Sequence, residues 1–193
     1  MFTLLRPALV LFFILSIITG LIYPLTVLGL GQLLFPTQVT GSLIRDGDKT
    51  LGSTLIGQAF TQPHYFWSRP SATATPYDAA ASGGSNLAPS NPALLQAVQQ
   101  RIATLQALDP SNTAPIPIDL VTTSASGLDP HISVAAAHYQ IDRVARLRQL
   151  NPAQVLKLVN KHTELPIWAL LGEARVNVLQ LNLDLDRLSY VTS

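Results

Sequence analysis

Residues 8–28 read ALVLFFILSIITGLIYPLTVL, and no other stretch of the chain decides as much about its architecture. At ~1.5 Å per residue a helix of this length spans about 31 Å, which matches a ~30 Å hydrocarbon core. Fourteen of the 21 side chains are Leu, Ile, Val or Phe. At roughly −0.3 to −0.6 kcal/mol each they contribute about −4 to −8 kcal/mol toward insertion, more than Gly20, Tyr23 and Pro24 take back. Pro7 falls where a first helical turn tolerates proline, and Pro24 near the far end, where a kink costs little. Gly29, Gly31 and Pro36 are expected to let the chain leave the membrane. A cleaved signal sequence would carry ~7–15 apolar residues and a small-x-small site; here apolar sequence continues toward Phe35 without one. Residues 8–30 are therefore expected to remain as a transmembrane helix. Arg6 precedes it and the next positive charge is Arg45, so the positive-inside rule puts residues 1–7 in the cytoplasm and 31–193 outside.

Beyond the anchor the composition is even. Of twelve Lys and Arg only Arg6 lies before the span, so eleven positive charges meet eleven Asp and Glu in the remainder. A neutral, mixed surface excludes nucleic acid as a partner, since phosphate neutralisation needs clustered basic residues. The chain has no cysteine, which excludes disulfides, zinc-thiolate sites and thiol nucleophiles. Packing alone must stabilise the fold.

Val39 to Gln58 reads as a hairpin in which Arg45-Asp46-Gly47-Asp48 turns the chain, because Asp-Gly favours positive φ. Phe60 to Asn91 has neither helical nor strand period and is rich in Pro, Ser, Ala and Gly, yet it carries Tyr65, Phe66, Trp67, Arg69 and Tyr77. A compact domain seldom keeps more than ~12–15 structureless residues without a purpose. Either this loop wraps its own domain or it docks on another protein. Three helices should follow Asn91-Pro92, Asp129-Pro130 and Asn151-Pro152, each a capping side chain before a first-turn proline. The first should bury Leu94, Val98, Ile102, Leu105 and Leu108. The second, from His131 to about Leu150, sets Asp142 and Arg146 four apart on one face, and the third should bury Val155, Leu158 and Val159. Asn112 to Asp119 is expected to be extended. Arg175 to Leu183 alternates as a strand whose apolar phase flips after Val178, which suggests a bulge or bend. Helices and strands mix without a βαβ repeat, so the class is α+β.

Reaction motifs are wanting. Gly47-Asp48-Lys49-Thr50 lacks the glycine beside lysine of a phosphate loop, and Ser82-Gly83-Gly84-Ser85-Asn86 does not match the Gly-x-Ser-x-Gly nucleophile turn. His131 and His138 on one helix would stand about 10 Å apart along the axis, too far for one metal ion. His162 suits the negative end of a helix dipole. Arg69, amid aromatics, could anchor a protein interface or an internal ion pair. A membrane-tethered hydrolase using Ser85 or His131 is the alternative of another class.

A set of ordered blocks adds to this reading. Gly41-Ser42-Leu43-Ile44 is followed by Leu55-Ile56-Gly57-Gln58 with Phe60, Tyr65-Phe66 with Arg69-Pro70-Ser71-Ala72, and Ser82-Gly83-Gly84-Ser85-Asn86-Leu87. Ser124-Ala125-Ser126-Gly127-Leu128-Asp129-Pro130-His131, His162-Thr163-Glu164 and Leu171-Gly172-Glu173 with Arg175-Val176-Asn177-Val178 come later. Over almost its whole length the chain resembles the C subunit of the bacterial Kdp-type potassium-transporting ATPase, with small departures such as Trp67-Ser68. The resemblance implies a non-catalytic accessory subunit of an inner-membrane complex that imports potassium. Its partners would be a channel-like subunit that conducts the ion, a P-type ATPase subunit that hydrolyses ATP, and the lipid bilayer. It would have no cofactor of its own; ATP and potassium ion are used by the complex. The family is also described as nucleotide-binding, although this sequence has no phosphate motif. The domain is expected to be periplasmic and to sit over the outer mouth of the channel-like subunit. Tyr65, Phe66, Trp67 and Arg69, with Ser82, Gly83, Gly84, Ser85 and Asn86, are the expected docking residues.

Overall fold

The structure, a computed structural model, describes residues 2–166 and 172–191 and divides near Leu51 into two compact units. Leu171, which opens the last of the sequence blocks, lies outside the described residues.

The first unit is dominated by helix. α1 (Phe2–Ile17) runs through a π turn (Ile18–Ile22) into α2 (Tyr23–Leu34). Thr3–Leu34 is 32 residues, contains an 18-residue stretch of mean hydropathy 2.4 with no buried side chain, and is long and apolar enough to cross a membrane. The helix is longer than the stretch that hydropathy marks, for two reasons. Pro7 lies inside α1 rather than in its first turn, and α2 continues through Gly29 and Gly31 to Leu34. The π turn explains how Pro24 is accommodated. Proline has no N–H for the carbonyl one turn back and its ring presses on that carbonyl; a wider turn, in which the Tyr23 N–H donates to the Ile18 carbonyl, relieves both. Thr19 and Thr26 donate to the Leu15 and Ile22 carbonyls, both at 2.7 Å, so their hydroxyls are satisfied within the helix, as lipid requires. Phe35 (φ −137°) ends it because the residue before Pro36 is pushed out of the α region. A short α3 (Pro36–Val39) follows.

The expected hairpin forms from β1 (Leu43–Asp46) and β2 (Lys49–Ser53). It is shorter than Val39 to Gln58, since Val39 completes α3. Gly47 takes φ +57° in its turn, where a side chain would be strained.

The second unit contains α4 (Pro92–Leu108), β3 (His131–Ser133), α5 (Val134–Arg148), α6 (Pro152–Lys161), β4 (Thr163–Glu164), β5 (Arg175–Asn177) and α7 (Val178–Val191). The three short strands form an antiparallel sheet in the order β3-β5-β4, with Ile132 opposite Val176 and Thr163 opposite Val176 on the other side. Ile132 and Val176 sit in one core with Ala136 and Val144 of α5, Val155 and Val159 of α6, and Leu181 and Leu185 of α7. The class is α+β, as the sequence indicates.

Asn91 and Asn151 cap α4 and α6 as expected, each accepting from a backbone N–H of the first turn. Asp129-Pro130 does not cap a helix. Its successors form β3, paired with β5, and Ser133 caps α5 by accepting from the Ala136 N–H. Proline's fixed φ suits an extended entry as well as a helical one, so the dipeptide alone could not separate the two. The phase flip in Arg175 to Leu183 is likewise no bulge: β5 stops at Asn177 and α7 begins at Val178. Val178, Leu181, Asn182 and Leu185 are buried at helical spacing. Arg146 reaches the buried Asp109 at 2.6 Å rather than Asp142. Asn112 to Asp119 is irregular until a 3-10 turn at Ile118–Leu120. In α4 only Leu105 is buried; Leu94, Val98, Ile102 and Leu108 are half-buried.

Candidate functional site

The aromatic block lies in a backbone segment with no strand or helix partner, and side chains supply the missing hydrogen bonds. The Asn182 amide accepts from the Phe66 N–H and donates to its carbonyl, both at 2.9 Å. The Gln140 amide does the same for Trp67, at 2.8 and 3.2 Å. Two primary amides thus imitate a neighbouring strand, which satisfies four backbone groups that burial would otherwise leave costly. Arginines complete the frame. Arg143 donates to the Pro63 and Tyr65 carbonyls, Arg148 to the His64 carbonyl, and Arg101 to the Ser68 and Leu120 carbonyls. Burial holds the Arg143 guanidinium down at about 10, and burial also lowers Arg101.

Each aromatic therefore has an internal place. Phe66 is fully buried and Trp67 nearly so, in the same core as the helices. The Trp67 indole N–H donates to the Gln62 carbonyl, and the Arg101 guanidinium lies 4.7 Å from its ring, a cation–π contact. Tyr65 is half-buried; its hydroxyl donates to Asp186 at 3.0 Å, while Arg148 stacks on its ring and pairs with Asp186 at 2.7 Å. Burial first, then the Asp186 charge and hydrogen bond, raise the Tyr65 phenol. The loop wraps its own domain through these residues, with Phe66 and Trp67 buried in its core.

Ser82 to Asn86 is placed differently. The Ser82 hydroxyl and the Gly83 N–H both donate to the Ser126 carbonyl, at 3.1 and 2.8 Å. Gly127, at φ +68°, approaches so closely that a Cβ there would lie 2.7 Å from the Gly83 carbonyl oxygen. The two small-residue blocks of the sequence thus lie against each other. Ser85 and Asn86 extend beyond this contact and are exposed. Ser85 borders a groove of about 290 Å³ with Pro70, Leu87, Leu94, Val98 and Val121.

Arg69 joins a second constellation, which the sequence did not reveal. It donates to the Thr123 carbonyl at 3.1 Å and stands 3.7 Å from Asp129. Asp129 is 3.4 Å from His131 Nδ1, His131 Nε2 is 3.7 Å from Glu164, and Glu164 is 3.0 Å from Arg175. This ladder crosses the sheet from β3 to β4, because antiparallel pairing brings Ser133 and Glu164 opposite Arg175 on either side. Burial pushes Asp129 up, but hydrogen bonds and charge from His131, with the Arg69 charge, outweigh it, so its carboxyl lies below the usual range. A groove of about 620 Å³ adjoins Arg69, Asp129, His131 and Arg175. The register places only the Glu164–Arg175 rung directly; His131 faces Asn177, and Arg69 and Asp129 come from irregular segments.

The ladder carries charge but no nucleophile. Ser133 is engaged with Asp119, through both its N–H and its hydroxyl. Ser85 and His131 border different grooves that share no residue, so the hydrolase alternative has no serine–histidine pair among the described residues. His138 is exposed on α5, away from the ladder strands. His162 closes α6 and stands 2.9 Å from Asp184.

Comparison with known proteins adds the decisive finding. The family described as "KdpC: K+-transporting ATPase, c chain" matches residues 5–187. The potassium-transporting ATPase KdpC subunit of Variovorax paradoxus is 64% identical over 182 residues, 94% of either chain. That of Polaromonas naphthalenivorans is 62% identical over 190 residues, 98% of this chain and 97% of the relative. That of Dechloromonas aromatica is 57% identical over 188 residues, 97% and 98% of the two chains.

Proposed function

The chain belongs to the KdpC family, the c chain of K+-transporting ATPases, and from that premise we propose that it is a non-catalytic accessory subunit which tethers its folded domain beside the ion-conducting and ATP-hydrolysing chains. One observation carries this reading: among the described residues one helix is long and apolar enough to cross a membrane, and the charged and aromatic clusters of the domain are engaged in holding it together. Arg69, Tyr65, Arg143 and Asp129 all have internal partners. ATP and potassium ion are then substrates of the assembled complex, and the domain supports assembly and stability. Charge placement around the helix, Arg6 before and Arg45 after, favours a cytoplasmic N-terminus and a periplasmic domain over residues 31–193 in a bacterial inner membrane. Docking on the channel-like subunit from the outer side follows from that orientation. Of the residues expected to dock, Ser85 and Asn86 remain available for direct contact; Phe66, Trp67 and Arg69 shape the domain behind them.

The test is co-expression of the tagged chain with a P-type ATPase chain and a channel-like chain, followed by detergent extraction and affinity purification. Recovery of all three together is expected. Recovery of the tagged chain alone, under conditions where the others are expressed, refutes the reading. Protease added to intact spheroplasts should cut the domain while sparing an N-terminal tag; the reverse pattern refutes the orientation.

A further inference from the structure

Positions 7 to 44 carry no charged side chain, and the next four charges, Arg45, Asp46, Asp48 and Lys49, all lie in the hairpin. The helix fills most of the uncharged interval. From Pro7 to Leu34, at ~1.5 Å per residue, it runs about 42 Å, whereas the hydrocarbon core is ~30 Å thick and the bilayer with its headgroup layers ~40–45 Å. The last turn of α2 thus reaches past the hydrocarbon on the side opposite Arg6. That end stays apolar: Leu30, Leu33, Leu34 and Phe35 are each more than half exposed, and Val39 of α3 is exposed beside them. Leu33, Leu34 and Phe35 are consecutive and point to different sides of the axis, so no single face collects them. α3 folds back on this end. A Cβ on Gly31 would lie 3.1 Å from Val39 Cγ2, so the glycine gives α3 its seat. The elbow also satisfies its own backbone. The Phe35, Val39, Gly41 and Ser42 N–H groups donate to the Gly31, Phe35, Gln38 and Thr37 carbonyls, and the Thr40 hydroxyl lies 3.0 Å from the Pro36 and Thr37 carbonyls.

We infer that this elbow, Leu30 to Val39, is seated in the headgroup layer of the bilayer and sets the depth of the anchor. The sequence alone ends the span at Leu30, so the inference moves the water boundary outward to the hairpin. It rests on the membrane-anchor part of the proposed function and holds for either orientation. Continuity identifies lipid as the occupant. The exposed apolar surface of the elbow is an unbroken extension of the transmembrane helix, whose most apolar stretch has no buried side chain. A partner protein would need one apolar stripe, whereas side chains that are apolar all round mark a segment surrounded by lipid. Water would leave a contiguous apolar patch uncovered, which soluble surfaces avoid. Internal pairing of the backbone is what a segment short of water requires. The polar side chains among them, Gln32, Thr37 and Gln38, are uncharged and cost less to bring to the headgroup level than Lys, Arg or Asp. A helix longer than the hydrocarbon is accommodated by tilting, which draws Leu33 and Leu34 toward the acyl boundary and leaves Arg45 and Lys49 on the water side.

The experiment uses the full chain in vesicles of phosphatidylcholine and phosphatidylglycerol. Because the chain has no cysteine, Leu33→Cys and Gln38→Cys can each carry one environment-sensitive fluorophore, with Ile14→Cys in mid-span and Asp48→Cys in the hairpin turn as references. Both elbow labels should be quenched by a nitroxide placed near the lipid headgroup. Iodide in the water should quench them less than about a third as strongly as the label at Asp48→Cys, in keeping with a seat ~5–10 Å into the headgroup and acyl boundary. Iodide quenching equal to that at Asp48→Cys overturns the inference, as does protection from both quenchers, which would mean that protein covers the elbow. Gly31→Ile supplies a second arm. Its side chain displaces Val39, so iodide quenching at Gln38→Cys should rise while that at Leu33→Cys stays as it was; no rise at Gln38→Cys overturns the seating of α3 on the helix. If the label at Ile14→Cys escapes a nitroxide deep in the acyl chains, the anchor reading fails instead, so the two failures are distinguishable.

Discussion

The irregular segment from Phe60 to Asn91 has two halves that behave in opposite ways. Its first half is aromatic and reads either as a loop that wraps its own domain or as one that docks on another protein, and Phe66 and Trp67 are in the core. Its second half is small and featureless, yet Ser85 and Asn86 are exposed. The difference is one of hydrogen-bond supply. Burying a stretch of irregular backbone requires donors and acceptors from elsewhere, and the aromatic half has them in Asn182, Gln140 and three arginines. The second half is held at its start by Tyr77, which donates to the Arg69 carbonyl and the Ser71 hydroxyl, and then by Ser82 and Gly83 on the Ser126 carbonyl. Aromatic content thus signals where the loop is pinned, and its absence signals where the loop is open.

The largest effect that would test this contrast is expected at Phe66. Phe66→Ala removes a fully buried ring and should cost about 3–5 kcal/mol, measured by denaturant unfolding of the full chain in detergent. A loss under 1 kcal/mol would mean that the ring is not in the core. Asn182→Ala comes next. It strips the partners from the Phe66 N–H and carbonyl, at about 1–3 kcal/mol for each group left unsatisfied. Wild-type stability in that variant would show that water reaches the loop and that the amide pairing is incidental.

These two residues also mark what was legible in the sequence. The apolar anchor, the Asp-Gly hairpin turn, the Asn-Pro caps and the burial of Val155, Leu158 and Val159 all follow from local rules that act within a turn or two. Asn182 and Gln140 do not. Their partners are 116 and 73 positions away, and in sequence they look like ordinary polar positions. Asn182 becomes conspicuous only once Val178 to Val191 is known to be a helix, for it then falls on the buried face with Leu181 and Leu185. The reading of Val178 as strand failed because three residues of β5 and the first turn of α7 together alternate much as a longer strand would. Asp129-Pro130 failed for the reason that pairing with β5, a non-local event, overrides a local capping preference.

Acid should separate the paired carboxylates, Asp129 of the ladder and Asp184 of α7, from the aromatic loop. Asp129 is held low by His131 and Arg69, and Asp184 by its hydrogen bond to Lys161 and then by His162. A carboxylate with a depressed folded pKa contributes stability that is present above the unfolded value, ~3.9 for Asp, and is lost as pH falls through the folded value. The thermal midpoint should therefore drop below about pH 4, and the double variant Asp129→Asn, Asp184→Asn should flatten that drop. An unchanged slope in the double variant would exclude these two groups as its source. Phe66→Ala, by contrast, should lower the whole profile without changing its shape, because no titrating group is removed.

The smallest effect lies within the Ser-Gly-Gly-Ser-Asn block and tests the contrast at single-residue scale. Ser82→Ala removes the hydroxyl that donates to the Ser126 carbonyl and should cost about 0.5–1.5 kcal/mol, the net worth of one such bond. Ser85→Ala, three residues on, alters an exposed side chain and should stay within about 0.5 kcal/mol of wild type. Equal losses at both positions would mean that the open half of the loop is pinned as firmly as the aromatic half. A loss at Ser82 alone fixes the boundary between the two halves at Gly84, where the chain leaves its contact with Ala125 and passes from a segment that builds the domain to one that is free to meet a partner.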